Sequence, residues 1–403
     1  MAKVAVMGFG VVGSGVCEVL VNNQEHIAKK TGERLDLKYI LDVRDLSDSP
    51  YADRVVHDFS IIENDPEVDI VVETIGGVQI SKEFTQRALK AGKSVVTSNK
   101  ALVAEHGFEL LKVAEANGVS YLFEASVGGG VPILRPLHRC LAANEIQEIG
   151  GILNGTTNYI LTRMIRGGLS FDEALKEAQG KGYAEADPSA DVNGPDACRK
   201  LCILAAMAFG RRVMPEQVPT EGITGVTLAD VAYAASCGKK VKFLGRAVRL
   251  PDDAVCAYVA PHLVDEENPL AVVEDVFNGI TVKGDAVGDL MFYGHGAGRL
   301  ATASAVVGDI IDVVKHRQRG ERAAWSLGDD GDMVLRPDAL ESVWYVRLNA
   351  ARPAVEQAFG DIQFLSRPDA PEGECAFLSG PMRRSGLEQK VKGLDVCSVF
   401  RVL

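Results

Sequence analysis

Met7-Gly8-Phe9-Gly10-Val11-Val12-Gly13 is the stretch on which the fold turns. An apolar run of strand length, Lys3–Met7, leads into it, and a helical pattern follows. In such a loop the first glycine permits a tight turn and the second lets the backbone approach a pyrophosphate. The third allows a helix to pack closely on the strand. The N-terminus of that helix offers unpaired N–H groups and a favourable dipole to phosphates. The hexapeptide alone is a weak signal; its strand–turn–helix setting makes it a dinucleotide-binding signature.

Outward from this loop, strand and helix patterns alternate through the first 130 or so residues. Strands are expected at Lys3–Met7, Leu37–Leu41, Ile70–Glu73, Ser94–Thr97 and Tyr121–Phe123. Helical patterns include Phe84–Lys90, stopped by Gly92, and Phe108–Ala116, stopped by Gly118. This is the pattern of an α/β, Rossmann-type parallel sheet. At the end of the second strand stands Asp42-Val43-Arg44-Asp45. An acid there suits the 2′-hydroxyl of NAD, and an arginine suits the 2′-phosphate of NADP. Both are present, and Arg44 tilts the expectation slightly toward NADP. The longer spacing from Gly13 implies an extended first helix.

After Pro132 the texture changes. Residues 133–142, 156–166, 171–180 and 195–209 read as helices, and Ser170 with Glu173 forms a capping-box pattern. Val241–Val248, Val255–Val259 and Val272–Val282 read as strands, giving an α+β substrate domain. A helix at Thr302–Lys315 is expected to return to the first domain. The expected organisation is a dinucleotide-binding domain over 1–132, completed by 296–316, and a substrate domain over 133–295. A polar linker at 317–338 precedes a small module at 339–403.

Composition narrows the function. With a net charge of -12 and no basic block, a nucleic-acid partner is not expected. No stretch approaches membrane-spanning length, and the first residues carry no signal-peptide pattern, so a cytoplasmic protein without membrane contact is expected. The eight cysteines include no Cys-x-x-Cys pair, which argues against zinc and for buried, reduced thiols.

Three further stretches carry chemistry. Thr97-Ser98-Asn99-Lys100 places a lysine at the carboxyl end of the sheet, where open α/β folds bind ligands. A solvated lysine at a helix start is the competing reading. Glu124-Ala125-Ser126-Val127-Gly128-Gly129-Gly130-Val131-Pro132 is a glycine-rich turn whose oxygens suit a hard monovalent cation. A plain flexible turn competes. In the stretch from Lys181 to Lys200, Asp196 and Lys200 stand four residues apart on a helix opened by Pro195. Such a pair can hold an ammonium group and deliver a proton to a carbonyl oxygen. Exposed Asp–Lys pairs on helices are far commoner.

Together these segments closely resemble the homoserine dehydrogenase family. Added to those above, Asn154-Gly155-Thr156-Thr157-Asn158-Tyr159-Ile160-Leu161, Gly182-Tyr183-Ala184-Glu185-Ala186-Asp187-Pro188, and Gly296-Ala297-Gly298 with Thr302-Ala303-Ser304-Ala305-Val306 carry the match. It covers roughly residues 1–315. The resemblance implies reduction of aspartate semialdehyde to homoserine, with Lys200 giving the proton and Lys100 beside the reacting end. Glu185 and Asp196 would hold the substrate's amino group, with Gly182 and Tyr183 also at the substrate. Apart from the resemblance, Thr156, Thr157 and Asn158 at an expected helix N-terminus offer neutral donors to its carboxylate. NAD or NADP would lie against Gly8, Phe9, Gly10, Val11, Val12, Gly13, Arg44, Thr74, Lys100, Gly182 and Gly298. A sodium or potassium ion would be held by the Glu124 carboxylate and the carbonyls of Val127, Gly129 and Val131. The partners implied are a small-molecule substrate and a second copy of the chain, through the substrate-domain sheet.

The last 70 or so residues resemble a worn-down ACT-type (ferredoxin-like) regulatory domain. Its expected Pro-Gly turn is here Pro353-Ala354, which departs from a threonine-binding pattern. Ala301 stands where many relatives have proline. A phosphorylating semialdehyde dehydrogenase would need an activated cysteine, and none lies in a polar loop opening a helix. A non-catalytic dinucleotide and amino-acid sensor is the remaining alternative, and it has no use for a proton donor.

Overall fold

A computed structural model describes residues 1–403 except 322, 324, 329, 330 and 361. Four of these positions, 322, 324, 329 and 330, fall in the expected 317–338 linker and lie outside the described residues. The chain forms two compact units. One comprises Met1–Ala143, Cys202–Met214 and Gly294–Asp332; the other comprises Asn144–Leu201, Pro215–Tyr293 and Met333–Leu403.

The first unit is built on a six-stranded sheet: β1 (Ala2–Met7), β2 (Leu35–Leu41), β3 (Val55–Val56), β4 (Val68–Glu73), β5 (Ser94–Thr97) and β6 (Tyr121–Leu122). Every neighbouring pair is parallel, in the order β3-β2-β1-β4-β5-β6. That is the doubly wound Rossmann order, whose switch point lies between β1 and β4. Val4, Ala5, Val6, Val71 and Val72 are wholly buried, as strands covered on both faces require. The extended first helix proves to be two, Val11–Asn22 and Gln24–Thr31, broken at Asn23. Helix Arg299–Gln318 completes this unit, and Gly15 lets it approach closely. A Cβ at Gly15 would lie 2.6 Å from the Arg299 carbonyl oxygen.

The helix expected over 133–142 is shorter, a π-helix over Pro136–Cys140 entered through helical residues 134 and 135. The amides of Ile133, Leu134 and Arg135, which a helix start leaves free, donate to the Glu124 carboxylate. The strand expected at Val272–Val282 begins at Phe277, because Asn268 caps a 3-10 turn over Pro269–Val272 and Asp275 is left-handed.

The second unit carries a nine-stranded mixed sheet. Its members are β7 (Ile146–Ile152), β8 (Lys239–Arg249), β9 (Val255–Asp265), β10 (Phe277–Gly284), β11 (Gly288–His295), β12 (Trp344–Asn349), β13 (Gln363–Leu365), β14 (Glu374–Leu378) and β15 (Asp395–Val402). The order is β11-β10-β7-β8-β9-β15-β12-β14-β13. β15 meets β9 over two residue pairs, Arg401 with His262 and Val402 with Leu263. The tail itself runs β12, helix Arg352–Phe359, β13, β14, helix Arg384–Val391, β15, a β-α-β-β-α-β sequence. Helix Leu228–Ser236, opened by a Thr227–Asp230 capping box, and strands β7 and β11 were not legible in the hydrophobic pattern.

His262 on β9 is fully buried; burial pushes its imidazole down to about 3 from 6.5. The unfolded chain therefore binds a proton between pH 6.5 and 3 that the folded chain refuses. Stability from this group is full above pH 6.5 and falls as pH drops toward 3, by up to about 5 kcal/mol. His262→Asn is expected to flatten that part of the acid-unfolding profile, measured as urea midpoint against pH. A profile parallel to wild type would refute it.

Candidate active site

The glycine loop crosses the carboxyl end of β1 at the switch point. Gly8 has φ +91°, and a Cβ there would lie 2.7 Å from the Thr74 carbonyl oxygen. A Cβ at Gly13 would lie 1.8 Å from the Gly8 carbonyl oxygen, so helix Val11–Asn22 can sit this close only with glycine. Thr74, just after β4, supports the loop by donating its hydroxyl to the carbonyls of Met7 and Gly8, both at 2.9 Å. Gly10 differs, because a Cβ there would meet nothing within 4 Å. Internal packing does not require this glycine; a ligand lying on the backbone would. Gly10→Ala is accordingly expected to melt like wild type while weakening nucleotide binding about tenfold or more, by fluorescence titration. Unchanged affinity would sink the idea that a pyrophosphate lies against this backbone.

Asp42 and Arg44 form one clamp on the loop. The Asp42 carboxylate accepts the Phe9 amide at 2.8 Å and is gripped by Arg44 Nε at 2.9 Å and Nη2 at 2.8 Å. Arg44 Nη2 also donates to the Phe9 carbonyl at 2.9 Å. The Arg44 guanidinium, with the loop amides, holds the Asp42 carboxyl well below the usual carboxylate range. Arg44 itself remains mostly exposed at the loop's edge.

Along the same sheet edge a buried carboxylate organises the next two loops. Glu73, wholly buried at the end of β4, accepts from the Ile75 amide and Ser81 hydroxyl at 2.9 Å and the Thr97 hydroxyl at 2.6 Å. Thr97 in turn receives the Asn99 amide, and the Asn99 side chain caps the helix that begins at Lys100. Lys100 thus sits at a helix start fixed by a carboxylate, a hydroxyl and an amide. Glu73 was missed in the sequence because an acid ending an apolar strand has no spacing signature.

The glycine-rich turn is also built around an acid. Both Glu124 oxygens are occupied by the three backbone amides of residues 133–135, at 2.7–3.0 Å. Val127, Gly129 and Val131 are buried, and their carbonyl oxygens accept no hydrogen bond among the described residues. Gly129 is left-handed, with a would-be Cβ 2.5 Å from the Gly296 carbonyl oxygen. Gly298, at φ +135°, precedes helix Arg299–Gln318.

Helix Pro195–Phe209 carries Asp196 and Lys200, both residues of the second unit and both buried. Lys200 Nζ donates to Asp196 Oδ2 and to the Leu153 carbonyl, each at 2.8 Å. An ammonium has three donors, so one N–H has no acceptor among the described residues. Asn154, the N-cap of helix Gly155–Gly167, joins the pair: its Nδ2 donates to Asp196 Oδ2 at 2.8 Å and to Asp191 Oδ1 at 2.7 Å. Burial pushes the Asp191 carboxyl up, against the Asn154 bond that lowers it. Asp191 and Asn154 were given no role from the sequence; an Asn-Gly-Thr-Thr run opening a helix was the available signal.

Thr156 donates its hydroxyl to the Tyr183 carbonyl at 2.7 Å, tying the 181–188 loop to this cluster. Gly182 takes φ +74° in that loop. Glu185 is exposed there, its carbonyl held by Gln179, and its carboxylate is not brought onto Lys200.

A doubly wound parallel sheet with this glycine loop at its switch point defines the class of dinucleotide-binding proteins. Residues 8–124 match the family model described as homoserine dehydrogenase, NAD binding domain, and residues 132–311 match the homoserine dehydrogenase model. A homoserine dehydrogenase of Bacillus subtilis is 42% identical over 323 residues, 79% of this chain and 74% of the relative. The crystal structure of a homoserine dehydrogenase from Thiobacillus denitrificans superposes with a TM-score of 0.92 at 36% identity, covering 100% of this chain and 98% of that one. A hyperthermophilic archaeal homoserine dehydrogenase in complex with NADPH matches with a TM-score of 0.65 at 27% identity, over 77% of this chain and 97% of that one. The chain belongs to the homoserine dehydrogenase family.

Proposed function

We propose that this chain interconverts L-aspartate 4-semialdehyde and L-homoserine with NADPH or NADH, and that Lys200 gives the proton to the aldehyde oxygen. The carrying observation is the buried Lys200–Asp196 pair with one ammonium N–H left for a substrate oxygen. Asp196 fixes the ammonium's position. Asp196 and Glu185 hold the substrate's amino group, which for Glu185 requires its loop to carry the carboxylate inward. Thr156, Tyr183 and Gly182 frame the substrate, and Lys100 orients its reacting end.

The nicotinamide nucleotide, when bound, supplies the hydride. Gly8 to Gly13 and Thr74 shape the pyrophosphate cradle, with Gly182 and Gly298 beside the cofactor. Arg44 favours a 2′-phosphate slightly, and Asp42 is already occupied by Arg44 and the Phe9 amide. A sodium or potassium ion fits the unpartnered carbonyls of Val127, Gly129 and Val131; Glu124, with three amides bound, contributes charge and at most one lone pair. It would brace the turn rather than touch substrate.

We further infer a homodimer through the second unit's sheet, a cytoplasmic enzyme, and an ACT-like regulatory role for residues 339–403. The division at 132 between nucleotide and substrate domains and the linker at 317–338 belong to this reading. Homoserine with NAD or NADP, followed by absorbance of the reduced nicotinamide, tests the activity. Turnover in wild type supports it; nucleotide binding without turnover would instead support the sensor.

A further inference from the structure

A cavity of about 450 Å³ opens in the second unit where β9 and β15 meet, lined among others by Tyr258, Ala260, Pro337, Arg384, Ser385 and Arg401. Arg401 is its unusual member. Only 4% of it is exposed, and its guanidinium lies between two rings, 4.2 Å from the Tyr258 centroid and 4.3 Å from that of Trp344. Its single polar partner among the described residues is the Ser342 hydroxyl, at 3.0 Å from Nη1. No carboxylate among the described residues lies within ion-pair distance of it. A buried charge of this kind is costly unless paired.

The other charges around the cavity are already matched. Arg384 pairs with Glu221 and, at 2.8 Å, with Glu388. Asp338 accepts from the Ser385 amide at 2.9 Å and its hydroxyl at 2.6 Å. One cationic fork therefore faces the cavity with donors to spare. His262, the register partner of Arg401, stacks on Tyr258 and leaves Nε2 without a partner among the described residues.

We propose that this cavity is a binding site for a small organic carboxylate, held by Arg401 and seated on the aromatic wall. The planar fork matches a carboxylate in bidentate fashion. Glu221, Glu388 and Asp338 at the margins repel a multiply charged anion, so a monocarboxylate with an apolar body is selected over phosphate. The ligand would bridge β15, through Arg401, to β9, through Tyr258.

The test uses the full chain and saturation-transfer NMR with acetate, isobutyrate and benzoate, and inorganic phosphate as the contrast. At least one carboxylate is expected to bind saturably with a Kd of about 1 mM or below, and phosphate about tenfold more weakly. Arg401→Met is expected to weaken the carboxylate tenfold or more. Should that variant fail to fold, Ser385→Trp, which plugs the cavity without touching Arg401, must give the same loss. No saturable binding by any carboxylate, or affinity unchanged in Ser385→Trp, overturns the proposal.

Discussion

Lys200→Met is expected to lower kcat for homoserine oxidation by about 10³-fold while leaving nucleotide affinity within about twofold. Methionine keeps the stem's volume, so the effect isolates the ammonium. The prediction follows from geometry: two of the three ammonium donors are used to hold Lys200 in place, by Asp196 and the Leu153 carbonyl. Removing the charge also leaves the buried Asp196, which Asn154 still contacts, without its ammonium, so some loss of stability accompanies the loss of rate. Steady-state kinetics beside nucleotide titration separates the two. A kcat within tenfold of wild type would remove Lys200 from the proton-transfer role.

Arg347→Ala is the most damaging single change expected away from the site, at about 3–5 kcal/mol. Arg347 lies buried on β12 and bonds Asp230 at 2.8 Å, Glu374 at 2.9 Å, Thr227 at 3.1 Å and Ser398 at 3.2 Å. Asp230 also takes the Tyr345 hydroxyl at 2.9 Å and caps its own helix through Thr227. Deleting the arginine strands the wholly buried Asp230 without a cation, while Glu374 keeps Arg367 at 2.8 Å. Urea unfolding checks the figure, and a loss under 1 kcal/mol would show the network to be incidental. Replacing Asp230 and Arg347 together by apolar residues is expected to cost less than Arg347→Ala, since no lone charge remains.

Residues 1–132 were legible because a parallel sheet buried on both faces writes near-continuous apolar runs, punctuated by glycines whose φ or close contacts demand them. Gly8 and Gly13 announce themselves in this way. The Lys200–Asp196 pair was legible as a spacing but not as a site, because burial is what separates it from an ordinary surface ion pair. What closes it off, the Asn154 cap reaching Asp191 and Asp196, joins residues 37 and 42 positions apart. No local pattern carries that. β7 was missed for a related reason: Gly150 and Gly151 blunt its alternation, yet a Cβ at either would fall within 2.2 Å of a neighbouring strand's carbonyl oxygen. The helix expected over 133–142 is present but short, and a distant acid, Glu124, caps the free amides of its first turn.

The two units are threaded through each other in the chain: each is assembled from three separate segments, and neither is contiguous. During translation the nucleotide-binding sheet emerges first but lacks helix Arg299–Gln318, which packs against Gly15 of its opening helix. The second sheet likewise waits for β15, a central strand supplied by residues 395–402. A nascent chain therefore cannot finish one unit on the ribosome and move on to the next. It must hold both half-built, and a fragment cut at residue 143 inherits an uncovered apolar groove in place of a finished domain.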